Sequence, residues 1–288
     1  MNLSIIILSF NTKDILDNCL KSILKNSKEI DMEIIVIDNH STDGSPEFIS
    51  KNYPNIILIE NDSNEGFSKA NNQGIKIAKG KYILLLNSDT LVEKDSLKDL
   101  VNFMESHKEI GVVGPQLLNT DHSKQASVGR FPDLLSVFIM LFFEHWQQNR
   151  FVRTSFDKLT EADWVMGAAL MIRKNILEKT GLLDENIFMY YDEVEWCYRI
   201  KKAGFKVYYY PKPKIVHLWQ KSSQSGREAP ILANYKSLVY FYRKHKSVIE
   251  QVLLIFLLKL KAGLEILIGL LTNNSYLKET YEKALKLV

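Results

Sequence analysis

The amino-acid sequence predicts an α/β protein with a mostly parallel β-sheet flanked by helices, followed by a C-terminal helical extension. Up to residue 115, short apolar runs alternate with amphipathic segments, which is the pattern of repeated β-α units. Beyond residue 228 the chain becomes helical and strongly apolar. We therefore predict one domain over 1–227, made of two halves, and a helical region, with bounds at 1–115, 116–227 and 228–288.

The strands of the first half are predicted from the apolar runs, and its helices from the amphipathic segments with a 3.6-residue period. Strands are predicted at 4–8, 33–38, 55–60, 82–86 and 111–114. Helices are predicted at 13–25, 45–51, 67–78 and 94–107. The first four strands end in polar residues, and right-handed crossovers bring such ends to one edge of a parallel sheet, where ligands bind.

Composition limits the class of protein. The chain has 288 residues, 46% hydrophobic and 25% charged, which suits one large domain or two small ones with a true core. A formal net charge of +3 is too small to predict a nucleic-acid partner, but it suits an anionic substrate or an acidic membrane surface.

The cysteines and the N-terminus indicate the compartment. Cys19 and Cys197 lie in helical context without a CxxC partner, so neither a disulfide framework nor a zinc site is indicated and a reducing cytoplasm is expected. The chain opens directly on a strand without a basic leader, so no signal peptide is expected.

The stretch 81–90 joins a buried strand to a short acidic loop, Asn87, Ser88 and Asp89. A carboxylate at the carboxyl end of a strand, next to amide and hydroxyl oxygens, suits a divalent cation that carries a diphosphate. The same residues also suit a turn and a helix cap. Taken alone, this stretch leaves both interpretations open.

Polar residues also follow the earlier strands: Ser9, Asn11, Asp38, Asp62 and Asn64, with Gly66 in the turn after them. Helix capping explains any one of them. Their recurrence ahead of helix N-termini, which present free N–H groups, favours a phosphate-bearing nucleotide at this edge. No GxGxxG motif follows the first strand, which argues against a dinucleotide-binding fold.

Two segments of the second half have open interpretations. The apolar run 134–143 is too short to span a bilayer; a buried helix is favoured slightly over a lid or membrane-dipping helix. In 162–173, Gly167 and Ala168 allow close approach of the backbone to another strand or to a sugar. Trp164 is interpreted as a sugar-stacking side chain, with a core position as the alternative.

The densest acidic stretch comprises Asp184, Glu185, Asp192, Glu193 and Glu195. A helix that begins near residue 191 would pair Glu195 with Arg199 one turn later. Asp192 and Glu193 follow the aromatic residues 188–191, where a carboxylate could act as a general base.

A second apolar run, 215–217, ends in a histidine after a predicted strand at 206–210 and a stop at 211–213. For His217, a metal or diphosphate contact and a structural role are equally well supported. The polar residues 220–227 follow, and Arg227 could close over an anionic ligand.

The segment 248–271 is apolar nearly all round. On a helical wheel Glu250, Lys261 and Glu265 share one narrow sector, Lys259 points the opposite way, and the uncharged runs are too short for a transmembrane span. A packed helix pair or a helix in the membrane interface is expected. Basic residues at 243–246 favour the inner leaflet.

Together these motifs resemble the family 2 glycosyltransferases with the GT-A fold, and most of all their bacterial rhamnosyltransferase-like branch. The resemblance covers about residues 3–245, and the motifs that carry it lie within this range. They are Ser9-Phe10-Asn11, Asp38-Asn39-His40-Ser41-Thr42-Asp43-Gly44-Ser45, Asn64-Glu65-Gly66-Phe67, Asn87-Ser88-Asp89, Gly181-Leu182-Leu183-Asp184-Glu185, Tyr191-Asp192-Glu193-Val194-Glu195-Trp196-Cys197-Tyr198-Arg199 and His217. The resemblance implies a nucleotide-binding half at 1–115 and an acceptor and catalytic half at 116–227.

The resemblance also implies a nucleoside-diphosphate-sugar donor, such as dTDP-rhamnose or a UDP-sugar. Asp38 would read the nucleobase near Ser9 and Asn11, with the turn at 62–66 beside it. Asn87, Ser88 and Arg227 are assigned to the same ligand.

A Mg²⁺ or Mn²⁺ cofactor is implied by the same motifs. Asp89 matches the last acidic residue of the family's DxD metal motif, and His217 matches a position that completes the metal shell in some relatives. Asn87 stands where the motif has its first acid, so one carboxylate remains. We therefore expect the cation to bind well only when the phosphates of the nucleotide complete its shell.

For catalysis, the resemblance implies that Glu193 is the base of an inverting single displacement, with Asp192 as the alternative. The acceptor hydroxyl attacks the anomeric carbon opposite the departing diphosphate, without a covalent enzyme intermediate. Residues assigned to the acceptor or the sugar are Trp164, Gly167, Ala168, Asp184 and Glu185.

The expected acceptor is a glycan or a lipid-linked saccharide of cell-surface polysaccharide synthesis, used at the inner face of the cytoplasmic membrane by a cytoplasmic, peripheral protein. A nucleotidyltransferase is disfavoured because residues 9–12 are not a glycine-rich, basic phosphate loop. The Asn87 substitution leaves a second alternative open, a catalytically degenerate glycosyltransferase-like domain that acts as a membrane-associated assembly partner.

Overall fold

A computed structural model describes residues 1–143, 152–218 and 228–288. Its strands are β1 (Leu3–Ser9), β2 (Met32–Asp38), β3 (Ile57–Glu60), β4 (Tyr82–Asn87), β5 (Thr90–Val92), β6 (Ile110–Leu118), β7 (Val128–Gly129), β8 (Arg153–Thr154), β9 (Thr160–Glu161), β10 (Trp164–Val165), β11 (Ala169–Arg173) and β12 (Lys206–His217). Its helices are α1 (Lys13–Asn26), α2 (Ser45–Asn52), α3 (Gly66–Ile77), α4 (Ser96–Ser106), α5 (Leu134–Phe143), α6 (Leu177–Thr180), α7 (Asp192–Lys202), α8 (Glu228–His245), α9 (Val248–Leu271) and α10 (Ser275–Leu285).

Within the described residues one large sheet has the order β3-β2-β1-β4-β11-β6-β12-β5, and β9 pairs with β12. The strands β3, β2, β1 and β4 are parallel, as the β-α repeat predicts. Beyond β4 the sheet is mixed, because β11 runs antiparallel to both β4 and β6. The α/β prediction is therefore confirmed, and the antiparallel part follows from the second half, where β-α alternation stops. A small sheet, β10-β7-β8, lies apart from it.

The strand β1 shows why the first half reads as continuous apolar runs. Ile5 packs with Leu16 and Leu20 of α1 in one core cluster. Ile6 points to the other face and packs with Ala70 of α3 in a second cluster. A strand covered by helices on both faces buries every side chain, so its sequence does not alternate with polar residues.

Two sequence-based boundaries differ from the structure. The predicted stop at 211–213 lies inside the single strand β12, whose register shifts between Tyr210 and Lys214. The prolines occupy that irregularity, where no ladder hydrogen bond is required of them. The prediction of a buried helix at 134–143 was wrong, because α5 buries only Ser136 and Val137 and leaves Leu135 60% exposed.

The C-terminal helices form a layer in which α9 packs against α5, α8 and α10. None of the helices in the described residues combines the length and the apolar composition that a membrane crossing requires.

Candidate active site

Asp38 lies at the carboxyl end of β2, on the sheet edge where the sequence predicts a nucleotide. The residue is 2% exposed, and its Oδ1 atom accepts a hydrogen bond from the Ser41 backbone N–H at 2.7 Å. Its Oδ2 atom is buried and has no hydrogen-bond partner within the described residues. Buried oxygens of this kind are rare in folded proteins, so Oδ2 is available to accept a hydrogen bond from a ligand or a water molecule.

Asn11 and Ser9 support the loops on either side of them. Asn11 has a left-handed backbone, with φ of 54°, and its N–H donates to the Ser41 hydroxyl at 2.8 Å. Its Oδ1 atom accepts a hydrogen bond from the Thr42 N–H at 2.7 Å. The Ser9 hydroxyl lies 3.0 Å from that of Thr12. Both residues, which the sequence assigned to the nucleotide, therefore stabilise the loops at this sheet edge through hydrogen bonds within the protein.

Asn39 was not assigned to the site by sequence reasoning, although it directly follows the last residue of β2. Its Nδ2 atom donates to Asn64 Oδ1 at 2.7 Å, and its Oδ1 atom accepts from the Glu65 N–H at 3.0 Å. These bonds tie the loop after β3 to the loop after β2. Asp62 lies exposed in the same loop.

Gly66 brings the two halves of the predicted site into contact. Its backbone is left-handed, with φ of 77°, and a Cβ atom there would lie 2.6 Å from the ring of Phe188. The next N–H, of Phe67, donates to the Phe188 carbonyl at 2.7 Å. The loop that contains Gly66 thus packs directly on the aromatic residues 188–191, which precede the neighbouring carboxylates Asp192 and Glu193.

Asp89 and His217 are neighbours because β5 pairs antiparallel with β12, which sets Thr90 opposite His217. The Nε2 atom of His217 lies 3.3 Å from Oδ1 of Asp89, and the two side chains are 7% and 1% exposed. The two residues that the sequence assigned to a metal therefore present one nitrogen and one oxygen at the same buried point.

Gln125 sets the tautomer of His217, and sequence reasoning did not find it. Its Oε1 atom lies 2.7 Å from His217 Nδ1, while its Nε2 atom donates to Asn119 Oδ1 at 3.0 Å and to the His217 carbonyl at 3.4 Å. These two acceptors fix the orientation of the amide, so Oε1 accepts the Nδ1 proton. With a cation between the two side chains, neutral His217 would present its Nε2 lone pair on the side that faces Asp89.

This donor pair fits Mg²⁺ or Mn²⁺. Adjacent ligands of an octahedral ion with bonds of about 2.1 Å lie about 3 Å apart, close to the Asp89–His217 separation. Within the described residues no group of three or more His, Cys, Asp or Glu side chains could hold a metal ion. Asp89 and His217 would hold such an ion as two protein ligands, and phosphate oxygens of the donor and water would have to supply the others.

Asn87 and Ser88 connect this point to the rest of the edge. The Asn87 N–H donates to the Ala168 carbonyl at 3.0 Å, which joins the end of β4 to the segment that holds Gly167. Ser88 is buried, and its hydroxyl accepts a hydrogen bond from Thr12 at 3.3 Å.

Asp192 and Glu193 begin α7 side by side. Tyr190 and Tyr191 precede them with left-handed backbones, φ of 63° and 64°, an uncommon conformation for bulky residues. Burial and the Glu193 carboxylate raise the pKa of Asp192 well above the usual aspartate range, and burial raises the pKa of Glu193. Two such neighbouring carboxylates titrate as a pair, so that one can hold a proton while the other is ionised.

Glu193 has the better support for the charged form. Its Oε1 atom lies 3.5 Å from the Gly167 N–H, which donates to it. Burial raises the pKa of Glu193, but this hydrogen bond and the charge of Arg153 act in the opposite direction. Arg153 lies on β8, and no motif marks it in the sequence. The hydrogen bond from Gly167 and the charge of Arg153 thus favour the charged form of Glu193.

The segment that enters β11 contains Trp164 and Gly167. Trp164 is 8% exposed, its ring packs on Gly129, and its Nε1 atom donates to the Arg130 carbonyl at 2.8 Å. These contacts favour the core interpretation over sugar stacking. Gly167 lies beside the acidic pair, where a Cβ atom would contact Glu193 at 3.7 Å.

Asp184 and Glu185 bind residues of this chain. Asp184 accepts hydrogen bonds from the Tyr240 hydroxyl at 2.7 Å and from Lys244 at 2.5 Å. Burial would raise the pKa of Asp184, but these hydrogen bonds outweigh burial and hold it below its usual range. Glu185 accepts from Asn72 Nδ2 at 3.0 Å. The two residues thus attach α8 and α3 to the loop ahead of the acidic pair.

Glu195 joins α7 to α8 from a fully buried position. It lies 2.8 Å from Arg199, 2.8 Å from Lys244 and 3.0 Å from His245. Burial opposes the charge, but the hydrogen bonds from His245 and Arg199 outweigh burial and lower the pKa of Glu195 to about 2. The predicted pair with Arg199 is confirmed as one part of this cluster. Arg227, the last predicted contact, lies outside the described residues.

Comparison with known proteins adds a family and a fold. Residues 4–181 match the family profile described as Glycosyl transferase family 2. The N-acetylglucosaminyl-diphospho-decaprenol L-rhamnosyltransferase of Mycobacterium tuberculosis is 25% identical over 243 residues, 78% of this chain and 78% of that one. Rhamnosyltransferase WbbL of Escherichia coli K12 is 26% identical over 231 residues, 77% of this chain and 85% of that one.

A solved structure gives the fold directly. The mannosyltransferase PcManGT from Pyrobaculum calidifontis, in complex with GDP-Man and Mn²⁺, superposes with a TM-score of 0.60 at 17% identity, covering 99% of this chain and 74% of that one. This likeness, which concerns the fold alone, confirms the predicted GT-A fold.

Proposed function

The chain belongs to glycosyltransferase family 2, and we propose that it is an inverting, metal-dependent enzyme that moves a sugar from a nucleoside-diphosphate sugar to a lipid-linked saccharide in cell-surface polysaccharide synthesis. The mycobacterial relative, an N-acetylglucosaminyl-diphospho-decaprenol L-rhamnosyltransferase, supports the acceptor class, since its acceptor is a sugar diphosphate carried by decaprenol. Two rhamnosyltransferases among the relatives support dTDP-rhamnose as the first donor to test, ahead of UDP-sugars.

The observation that carries the proposal is the Asp89–His217 pair at the carboxyl edge of the sheet, 3.3 Å apart and buried. These residues would hold a Mg²⁺ or Mn²⁺ ion together with the donor's diphosphate. When bound, the ion neutralises the charge that develops on the departing diphosphate. Asp38, whose buried Oδ2 atom has no hydrogen-bond partner in the part of the chain that the structure describes, supports a nucleobase at the same edge.

On the acceptor side, Glu193 would remove the proton of the attacking hydroxyl. The hydroxyl oxygen forms the new bond to the anomeric carbon as the bond to the diphosphate oxygen breaks, and the proton passes to the Glu193 carboxylate. Asp192, whose pKa is raised further by burial and by Glu193, would remain protonated and limit repulsion within the pair. Gly167 and Arg153 stabilise the charged form of Glu193 before the reaction.

We further propose that the protein works as a peripheral protein at the cytoplasmic face of the inner membrane. A polyprenol-linked acceptor keeps its lipid in the bilayer, so the enzyme must reach the headgroup region. The exposed apolar side chains of α9 support that location.

The test uses the purified full-length chain. Thermal unfolding is recorded with dTDP-rhamnose, UDP-glucose, UDP-N-acetylglucosamine and GDP-mannose, each with and without Mn²⁺, because a bound ligand stabilises the folded state by mass action. The best donor is then offered with a synthetic N-acetylglucosaminyl-diphospho-lipid, and the anomeric configuration of the product is determined by NMR. We expect a donor- and Mn²⁺-dependent rise of the melting temperature and an inverted product.

Each part of the proposal can fail separately. A product with retained configuration would overturn the inverting mechanism, and full activity in EDTA would overturn metal dependence. If no donor raises the melting temperature or is transferred or hydrolysed, the degenerate-domain alternative replaces the proposed function.

A further inference from the structure

The helix α9 carries a continuous apolar stripe on its exposed side. Ile249, Val252, Phe256, Leu260, Leu264 and Leu267 are between 41% and 74% exposed. They follow one another at intervals of three or four residues, which places them in one row along the helix axis. We call these six residues the apolar stripe.

The stripe is exposed although the helix is firmly seated. On the opposite side Leu254, Leu258 and Ala262 are buried, and the Tyr235 hydroxyl of α8 donates to the Leu258 carbonyl at 3.3 Å. Ser247 and Glu250 form a reciprocal capping box that fixes the first turn. A helix held in this way presents its apolar side as a rigid surface.

Charge distinguishes the stripe from an ordinary surface. Lys259 is exposed at its edge, whereas Glu250 lies in the capping box and Glu265 is bound to Lys261 at 2.5 Å, away from the stripe. Residues 243–288 contain eight Lys and Arg against four Asp and Glu. On α9 itself the charged side chain at the edge of the row is the basic Lys259. An apolar row bordered by a lysine matches an anionic bilayer, in which the lysine stem lies among the lipids and its ammonium group reaches the headgroups.

A second copy of the chain fits the stripe less well. Lys259 lies at the middle of Val248–Leu271. A twofold axis through the centre of an antiparallel α9 pair would bring the two Lys259 ammonium groups towards each other beside an apolar interface. Like charges at such a position are unfavourable, whereas a bilayer separates them.

We propose that the apolar stripe of α9 is a docking surface for the interfacial region of an anionic lipid bilayer, with the helix lying parallel to the membrane. At about 1.5 Å per residue, its 24 residues extend over about 36 Å of the surface. This inference deepens the proposed function, because it names the surface that brings the enzyme to a lipid-linked acceptor.

Contacts within the protein link the helix that carries the apolar stripe to Asp192 and Glu193. Lys244 and His245, at the end of α8, lie 2.8 Å and 3.0 Å from Glu195 of α7. The helix α7 begins with Asp192 and Glu193, so docking through α9 orients the helix that carries the predicted base.

The experiment is co-sedimentation of the purified full-length chain with phosphatidylcholine vesicles, with and without phosphatidylglycerol. Phe256→Ser combined with Leu264→Ser removes the centre of the stripe. Leu24→Ser combined with Ile77→Ser is the matched control, because Leu24 and Ile77 are each 43% exposed, like Leu264, but lie on α1 and α3. Circular dichroism and thermal unfolding check that all variants fold.

We expect the stripe variant to lose more than about tenfold in vesicle partitioning, while the control binds like the wild type. Lys259→Glu should weaken binding mainly to vesicles with phosphatidylglycerol. Unchanged partitioning of the stripe variant overturns the proposal. So does a wild-type dimer in light scattering that the stripe variant converts to a monomer, since a second copy would then cover the stripe.

The result is independent of the proposed function. Donor hydrolysis, or transfer to a water-soluble acceptor, should be the same in the wild type and the stripe variant. Loss of vesicle binding with this activity intact confirms the docking surface. Vesicle binding without any activity towards donors leaves docking standing and overturns the enzyme proposal instead.

Discussion

The Nε2 atom of His217 lies 3.3 Å from Oδ1 of Asp89, and the imidazole is held from its other side by Gln125 at 2.7 Å. One side chain comes from the loop after β4, one from the end of β12 and one from the loop after β6. The point where a cation would bind is therefore built from three segments, and each residue can be tested separately.

Gln125→Leu should lower the affinity for Mn²⁺ in the presence of nucleoside diphosphate by about 10- to 100-fold, because the Nδ1 proton of His217 loses its acceptor. Binding is measured by electron paramagnetic resonance, and ¹⁵N NMR reports the tautomer of His217. Gln125→Glu is the matched variant, since it retains an acceptor for Nδ1 and should preserve the tautomer. An unchanged tautomer in Gln125→Leu would contradict the role of Gln125.

Asp89→Ala should remove the part of nucleotide binding that depends on the metal, because only one carboxylate is present in the motif. Calorimetry with nucleoside diphosphate, with and without Mn²⁺, measures this difference directly. Asp31→Ala, which removes an exposed carboxylate paired with the N-terminus, serves as the control. Equal affinity of Asp89→Ala and the wild type under both conditions would refute the role of Asp89.

Glu193→Gln should reduce the transfer rate by about 10²- to 10⁴-fold, the usual contribution of a general base, with donor affinity nearly unchanged. Asp192→Asn should cost less, because the proposed mechanism assigns the proton transfer to Glu193 and not to Asp192. Single-turnover transfer and donor titration separate the two effects. Transfer by Glu193→Gln near the wild-type rate, with a large loss in Asp192→Asn, would reassign the base to Asp192.

Glu195 should make the fold sensitive to acid. Its pKa is lowered from 4.5 to about 2 in the folded state. The stabilisation is therefore fully present above about pH 4.5 and is lost as the pH falls towards 2. Over that window we expect a loss on the order of 3 kcal/mol in the free energy of unfolding.

Urea unfolding between pH 7 and pH 3 measures the larger part of this loss. Glu195→Gln should be much less stable than the wild type at pH 7, because the cations Arg199, Lys244 and His245 lose their shared anion. The difference should be smaller at pH 3, because the wild type has by then lost part of the same stabilisation. Glu178→Gln, on the exposed surface of α6, should follow the wild type at both values. A constant difference between Glu195→Gln and the wild type across the range would show that the lowered pKa does not contribute.

Much of the first half was predictable because its signals are local. The predicted strand at 82–86 and helix at 13–25 match β4 and α1 to within one residue, since burial on two faces and a 3.6-residue period are properties of short windows. The motif residues also indicated the family, because they are short local patterns that the sequence shows directly. The continuity of β12 through its prolines was missed, because a local stop signal there is overridden by pairing with β6 and β5.

By itself, the sequence determined the β-α units, the polar strand ends and the family. Only the tertiary structure decided which polar groups share a site. Antiparallel pairing of β5 with β12 brings His217 next to Asp89. Packing of α8 on α7 places Lys244 where it forms ion pairs with both Asp184 and Glu195. The role of Trp164 was likewise decided by its neighbours in the structure. A tryptophan that packs in the core and one that stacks on a sugar have the same sequence signature. Such contacts join residues far apart in the chain, and their energies depend on burial and on partners that no local window contains.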